Sequence, residues 1–548
     1  MQLNYLANTS GLISTSKLQS SWVKKTFKIA LTLASTSSVI ISVMLPAKSQ
    51  SSTSTPPLKS DDVVVASIDL TNPGVKIPYS FSGFSMEYGD VLNFTGRTTD
   101  TKNQVFIQLL KNLGNFGNGA TPVRVGGNST DESWWNPNGL TKPAGVKYNI
   151  TNVDLASLEA SLSQTGSQLI LGVNLGKNQP SIAVDYIKAA QSILAPNRIL
   201  SFEIGNESDL YAYHPYYKDP TTGTTVNVRP SSYTFNQYLS EFANYSSTLR
   251  NSFAKMPPLA GTAFATSIYG WMQYFPTFLS NQSQMVNLIT YHYYPLSTCS
   301  WSQPGSSTYP SISNLLSDQT SLVPAQKVAT FVNQAKQYGT LLSMSEFNSV
   351  SCGGASGVSN SFASALWGTD VLFNMASVGV RSVHLHTGSG GSYSPISFSI
   401  NRSSTATTYT PTVNPLYYGM LLFAQATANN SQLLPVSSQT ASNANVKVWA
   451  TIDNQNVVRV VAINKDLNAS GNAEIKLSSP RSAGSLVRLT ASNASATTGV
   501  TLGGQTFDGT TDGRPIGKST STNVEPKNGI YTFSLPPASA ALLTINKP

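Results

Sequence analysis

Eight short apolar runs, each followed by a segment with helical spacing, occupy the chain from residue 79 to about 430. They are "SFSGFSMEY" (80–88), "TPVRVGG" (121–127), "SQLILGVNL" (167–175), "ILSFEIGN" (199–206), "PLAGTAFA" (258–265), "VNLITYHYY" (286–294), "LLSMSEFN" (341–348) and "VRSVHLHTG" (380–388). Most are nearly continuous rather than alternating in apolar character, as strands buried on both faces must be. In "NVDLASLEASLSQTG", Leu155, Leu158 and Leu162 share one helical face; in "AQKVATFVNQAKQYG", Val328, Phe331, Ala335 and Tyr338 do so. A last helical pattern, "NPLYYGMLLFAQATA", follows the eighth run. Eight βα units predict a (β/α)8 barrel over residues 77–430. A doubly wound open sheet is the alternative, but "RVGGNS" after the second strand lacks the G-x-G-x-x-G spacing of its phosphate turn.

After residue 430 the pattern changes to short runs spaced by Gly, Asn, Pro and Ser, among them "NVKVWATID", "VVRVVAINK", "NAEIKLSS" and "GIYTFSLP". These predict a β-sandwich over residues 431–548. The run "DDVVVASIDL" (61–70) has no helix after it, so residues 61–76 are expected to lend that sandwich an N-terminal strand.

Only 11% of residues are charged, a balance that suits an extracellular β-rich protein. Five of the 34 basic residues are lysines in the first 50 positions, where there are no acids, so the rest carries 29 basic against 25 acidic residues. No basic run survives there, and a nucleic-acid partner is not expected. Residues 1–50 carry a basic stretch, an apolar run from about Phe27 to Leu45 and small residues ending near Ala47. They read as a secretory signal peptide with a long leader, or as an uncleaved membrane anchor. Residues 51–60, "SSTSTPPLKS", read as a linker. The expectation is a secreted protein, extracellular or periplasmic, without stable membrane insertion after cleavage. Cys299 and Cys352 are compatible with one disulfide in such a compartment.

In a (β/α)8 barrel the chemistry sits at the C-terminal ends of the strands. Glu207 ends the fourth and Glu346 the seventh, so the two can face each other across the mouth. A retaining glycosidase needs two carboxyls about 5–5.5 Å apart, one a nucleophile and one an acid/base. Asn206 beside Glu207 is placed to hydrogen-bond a sugar 2-hydroxyl, which makes Glu207 the acid/base. Glu346 is then the nucleophile and must stay ionised, with Arg124 and the Tyr291–Tyr294 cluster as its supports. A metal-dependent enzyme is the other catalytic reading, but the chain has only four histidines: His214, His292, His384 and His386. No metal or cofactor is expected.

On these residues the chain resembles the clan A glycoside hydrolases. The stretch "SEFNSVSCGGASGVSNSFASALWGTDVLFNMASVGV" resembles glycoside hydrolase family 79, which contains heparanase and microbial β-glucuronidases. The resemblance implies that backbone N–H groups of a glycine-bearing loop hold a uronate carboxylate, here Cys352, Gly353 and Gly354, together with Tyr393 beyond strand eight. Glycine lets a backbone approach an anion closely. It also implies sugar contacts from Glu87, Asn128, Tyr293 and His386. Trp134 and Trp135 are stacking candidates. Cys352 stands where the family carries Gly, and Cys299 lies on the same barrel face. A Cys299–Cys352 disulfide clamping the loop is the expectation, and two separate thiols the alternative.

The function implied is a retaining, exo-acting β-glucuronidase on a uronic-acid-containing glycan. The alternatives are another clan A β-glycosidase (β-glucosidase, β-xylosidase or an endo-acting heparanase-like enzyme) or a non-catalytic carbohydrate-binding protein. The Tyr-rich insertion at residues 211–230, with only Lys218 and Arg229 as strong bases, is expected to wall off the site.

Overall fold

The computed structural model describes residues 55–547, except 98–100, 267–269, 389, 404–405 and 443. The expected signal peptide and the start of the linker lie outside the described residues.

Eight parallel strands close into a barrel in chain order: Ser82–Glu87, Val123–Gly126, Leu169–Val173, Ile199–Ile204, Leu259–Phe264, Leu288–Tyr293, Leu341–Phe347 and Val383–His386. The last pairs with the first, Val383 opposite Ser82. One longer helix follows each strand: Gln104–Gly114, Asn152–Leu162, Pro180–Ile193, Phe235–Ser252, Phe275–Gln282, Leu322–Gln337, Phe362–Ser377 and Pro415–Ala426. Helix starts follow local chemistry. Thr151 with Asp154, and Thr234 with Gln237, form reciprocal capping boxes, and Pro180 and Pro415 stand where the helix has no N–H partner to lose. Leu155, Leu158 and Leu162 are buried as their spacing requires, as are Val328, Phe331 and Ala335. Tyr338 departs from that stripe: it lies one residue past its helix and is 40% exposed.

The seventh helix, Phe362–Ser377, is buried on every side from Phe362 to Ala376, and its mostly apolar sequence suits such enclosure. It packs against the eighth, where a Cβ on Gly419 would stand 2.3 Å from the Ala365 carbonyl oxygen. Its first N–H groups, from Phe362 and Ala363, donate to Ala496 and Ala494 of the C-terminal β-domain. Trp367 stacks on Phe347 at 5.7 Å, so this helix braces the strand that carries Glu346. Across the seam, Asp370 and Lys465 pair at 2.6 Å without solvent contact, with Ser321 and the Trp449 indole also donating to Asp370.

The β-domain is a sandwich. One sheet holds Val436–Thr440, Asp62–Ile68, Gly471–Leu477 and Ile530–Leu535. The other is built on Val446–Ile452, Val458–Asn464, Ser539–Ile545 and Gly484–Thr490. Val64, Ile475, Val460 and Leu543 meet in the core between them. The N-terminal strand sits inside its sheet, antiparallel to 436–440 and parallel to 472–477, which accounts for its unbroken apolar run. Two hairpins that the sequence reading missed, Ile396–Arg402 with Thr407–Val413 and Pro215–Lys218 with Thr225–Asn227, are rich in Ser, Thr and other polar residues and show no apolar period. Among the described residues no helix is long and apolar enough to cross a membrane.

Candidate active site

Arg124, an inward-facing residue of the second strand, is wholly buried on the barrel axis. A guanidinium presents five donors in a rigid fork, and burial demands that they be answered. Its Nε donates to Glu203 Oε2 at 2.7 Å, Nη1 to Glu346 Oε2 at 2.7 Å and to Ser85 Oγ at 3.1 Å, and Nη2 to Asn206 Oδ1 at 2.8 Å. One side chain thus ties strands one, two, four and seven beneath the mouth.

Glu207 leaves the fourth strand through a turn. Gly205 (φ 76°) and Glu207 itself (φ 49°) are left-handed, a region a residue with a Cβ occupies only when its surroundings hold it there. Those surroundings are visible. Glu207 N–H donates to Ala263 O at 2.9 Å, and Asn206 N–H to Asp131 Oδ2 at 3.1 Å. Asp131 also accepts from Tyr211 Oη and from the N–H groups of Leu175 and Gly176. Two residues on, Asp209 accepts from Ala265 and Thr266, and burial pushes its carboxyl up to about 6.

His292 on the sixth strand bridges the site, with Nδ1 3.1 Å from Glu207 Oε1 and Nε2 3.0 Å from Ser345 Oγ. Glu346 accepts from Tyr294 Oη at 2.9 Å and from Arg124. The fourth member of that cluster, not Tyr291, reaches it: Tyr291 Oη donates to Thr266 O. His386 Nδ1 lies 3.7 Å from Glu346 and 3.1 Å from Ser85 Oγ. Burial opposes the ionisation of Glu346, but His386, His292, Arg124 and the Tyr294 hydroxyl outweigh it and hold the carboxyl well below the usual carboxylate range. One ligand atom each from Glu207, His292 and Glu346 lies within 4.8 Å of the others. The two carboxylates are therefore close enough to act on opposite sides of one bond. A cation there would compete with Arg124 and Tyr294 for Glu346, and would meet His292 through Nδ1, the nitrogen that now faces Glu207. His384, one layer deeper, bonds Ser382, and burial pushes its pKa down to about 3.

Both glutamates open into a cavity of about 690 Å3, inside the usual range for a small-molecule site. Glu87, Asn128, Tyr293, Cys352, Gly353, His386 and Tyr393 also line it. Glu87 is held from behind by Asn128 N–H, Ser129 N–H and Ser129 Oγ. Arg124 and Asn206 do not reach the main cavity. They lie beneath its floor, and Asn206 Nδ2 points to Asn128 Oδ1 at 3.3 Å. Gly354 stands just behind the wall, where a Cβ would come within 2.7 Å of Tyr393 N. Cys352, Gly353 and Gly354 are all left-handed (φ 59°, 87° and 83°), and among the described residues the N–H groups of both glycines have no protein acceptor. Cys299 and Cys352 form a disulfide with Cα atoms 5.5 Å apart, beside the short parallel pairing of Leu296–Ser297 with Val350–Ser351.

Two expectations fail. Trp134 and Trp135 do not line the cavity: they form a short strand against 148–150, and Trp134 donates to Asn149. The insertion 211–230 does not wall it either. Its Tyr211, Tyr216 and Arg229 turn inward, to Asp131 and to the carbonyls of Leu175 and Gly176. The wall comes from Tyr293–Pro295, Cys299, Trp301, Thr308 and 351–353 instead. Sequence reasoning also missed Glu203, the second anion on Arg124. The signal was present, since a glutamate at an inward position of an apolar strand requires a buried cation.

Residues 448–542 match the model of the glycosyl hydrolase family 79 C-terminal beta domain. A β-glucuronidase of Aspergillus niger is 26% identical over 540 residues, spanning 89% of this chain and 94% of that protein. A β-glucuronidase of Neurospora crassa is 25% identical over 448 residues, spanning 74% and 75%. Among solved structures, a 4-O-α-L-rhamnosyl-β-D-glucuronidase from Fusarium oxysporum 12S aligns with TM-score 0.67 at 18% identity, over 87% of this chain and all of that one. A GH51 arabinofuranosidase from Xanthomonas axonopodis pv. citri aligns with TM-score 0.64 at 15% identity, over 88% and 100%. These two show a shared barrel-and-sandwich fold. With a match to the family 79 C-terminal β-domain, relatives matched along most of its length and two carboxylates at the mouth of its barrel, the chain is a glycoside hydrolase similar to those of glycoside hydrolase family 79.

Proposed function

We propose that this enzyme is a secreted, retaining, exo-acting β-glucuronidase. The observation that carries the mechanism is the spacing of Glu207 and Glu346, whose nearest oxygens fall within 4.8 Å across one cavity. That is the short-separation class of paired carboxyls, about 5–5.5 Å, and not the wider gap of about 6.5–9.5 Å in which a water attacks the sugar directly. Glu346, kept ionised by Arg124 and Tyr294, attacks the anomeric carbon while Glu207 gives its proton to the departing oxygen. Glu207 then takes a proton from the water that releases the sugar. His292 holds Glu207 in place and is a positioning residue.

The uronate specificity rests on the turn at Cys352–Gly354. Its glycine N–H groups are free of protein acceptors, and a carboxylate is the ligand such donors suit. Tyr393 stands beside them on the cavity wall, and Glu87, Asn128 and His386 are the remaining candidates to hold the sugar hydroxyls. The curated relatives from Aspergillus niger and Neurospora crassa bear the name β-glucuronidase, in keeping with this reading.

The test is hydrolysis of paired chromogenic β-glucuronide and β-glucoside by wild type, Glu346→Gln and Glu207→Gln. Cleavage of the glucuronide alone, abolished in Glu346→Gln, is the expected result. Cleavage of the glucoside instead would retain the glutamate pair and discard the uronate loop.

A further inference from the structure

Glu203 carries an acceptor that nothing answers. Its Oε2 takes the Nε–H of Arg124, while its Oε1 is buried and accepts no hydrogen bond among the described residues. A buried carboxylate oxygen without a donor is costly. Burial opposes the ionisation of Glu203, and Arg124, His292 and the Ser345 hydroxyl outweigh it. Arg124 gives its protons to Glu203 Oε2, Glu346, Ser85 and Asn206. Ser345 is the neighbour with a rotatable proton to turn toward the bare oxygen.

Ser345 stands there because the seventh strand bulges. Tyr291 lies opposite Met344 and His292 opposite Glu346, which leaves Ser345 as an extra residue. On the other side Met344 lies opposite Val383 and Phe347 opposite Leu385, three steps against two. Consecutive residues of a regular strand point to opposite faces, and a bulge re-aims one of them. Here both reach the barrel axis, Ser345 to His292 and Glu346 to Arg124.

The Ser345 oxygen lies 3.0 Å from His292 Nε2. A hydroxyl has one proton, and an anionic oxygen accepts it more strongly than a neutral ring nitrogen does. With that proton on the Glu203 side, the Ser345 oxygen can only accept, so Nε2 must carry a hydrogen. Nδ1 is 3.1 Å from Glu207 Oε1. That contact then holds one proton: on Glu207 beside a neutral ring, or on Nδ1 beside a carboxylate. The other titratable groups around the pair have contacts of their own. Glu346 accepts from Arg124 and Tyr294, Asp209 accepts from Ala265 and Thr266, and Tyr393 packs against Tyr294 and His386.

We propose that Ser345, directed by Glu203, is a positioning residue that fixes a proton on His292 Nε2, so that the contact of Nδ1 with Glu207 keeps the single proton destined for the departing oxygen. The inference rests on the acid/base role proposed for Glu207 and adds where its proton is held. That proton leaves with the departing oxygen as the glycosidic bond breaks and Glu346 bonds the anomeric carbon. Two lone pairs then face each other across the 3.1 Å contact. The pair recovers its proton from the water whose oxygen takes the anomeric carbon from Glu346, and ends the turnover as it began.

The chain has only four histidines, so heteronuclear NMR of the ring nitrogens in histidine-labelled protein, assigned with His292→Gln, reads the proton directly. Wild type is expected to show His292 protonated at Nε2. A neutral ring protonated at Nδ1, with Nε2 bare, would overturn the proposal. In Ser345→Ala, kcat/KM on methyl β-glucuronide is expected to fall about tenfold. On 4-nitrophenyl β-glucuronide, whose departing oxygen needs little protonation, the fall is expected to be less than about threefold. Equal losses on the two substrates, as a merely structural role would give, would also overturn it. A wild type that cleaves neither glucuronide would remove the glucuronidase reading, while the ring spectrum would still decide the place of the proton.

Discussion

Lys465 and Asp370 meet at 2.6 Å on the seam between barrel and β-domain, whereas Arg124 meets Glu203 and Glu346 on the barrel axis. Both clusters are buried, and both set guanidinium or ammonium against carboxylate. At the seam Lys465 answers Asp370 and lies 3.7 Å from Asp318, which Lys447 also pairs, so two cations stand against two anions; Ser321 and Trp449 donate to Asp370, and the Lys465–Asp370 contact is without solvent. On the axis one cation answers two anions, and the second of them, Glu346, keeps an edge open to the cavity. A closed pair with no surplus charge can only hold parts together. An open one with an extra carboxylate retains a negative charge that has been made stable and remains available. The difference between the two clusters is charge balance and access to the cavity, not residue type.

Substitutions should separate the two clusters, beginning with the largest effect. Glu346→Gln should lower kcat/KM on a glucuronide by about 10⁴-fold or more while circular dichroism stays that of the wild type. Glu207→Gln should cost about 10²- to 10⁴-fold, and the loss should shrink as the leaving group becomes more acidic, since such a group needs less protonation. A loss independent of the leaving group would remove Glu207 from the acid role.

At the seam the effect should fall on stability alone. Lys465→Met leaves Asp370 buried and unpaired, which should destabilise by about 3–5 kcal/mol in denaturant unfolding with kcat/KM unchanged where the protein is folded. Adding Asp370→Leu should recover most of that loss, because breaking a buried pair costs more than replacing it. Removing the disulfide in Cys299→Ser/Cys352→Ser should cost about 2–4 kcal/mol and raise KM more than it lowers kcat, since the bond spans 53 residues and joins two cavity walls.

The smallest effect should appear in the pH dependence. Glu346 is held below its ordinary value of 4.5, so its folded form binds protons less readily than its unfolded form. The stability this contributes is present above that ordinary value and is lost as pH falls toward the depressed one. The Tm difference between wild type and Glu346→Gln should therefore narrow from pH 6 to pH 3. The acid limb of kcat/KM should fall below the usual carboxylate range, and a limb at or above pH 4.5 would contradict the role given to Arg124 and Tyr294.

Much of this architecture is legible in the chain because its signals are local. Near-continuous apolar runs of strand length, helical stripes such as Leu155–Leu158–Leu162, and a glutamate at the tip of strands four and seven depend only on the residues beside them. Fold class and the two carboxylates follow from such patterns, and so does the strand at residues 61–70, whose unbroken apolar character suits only a place inside a sheet. The missed hairpins at 396–413 and 215–227 are made of polar residues whose pairing depends on each other and on the surfaces beneath them.

What only the tertiary structure decided is which side chains meet. Glu203 and Arg124 are 79 residues apart, and their 2.7 Å contact exists because the strands close into a barrel that brings their inward faces together. Trp134–Trp135 and Trp301 look alike as sequence, each an aromatic in a loop, yet the pair packs beside a short strand while Trp301 stands at the cavity rim. The sequence by itself determined the periodicities, and through them the barrel, the sandwich and the two glutamates, because strands and helices repeat at 2 and 3.6 residues and leave that repeat in the chain. The wall of the site, the second anion on Arg124 and the orientation of His292 between Glu207 and Ser345 were decided by chain closure, because contacts between distant segments leave no period to read.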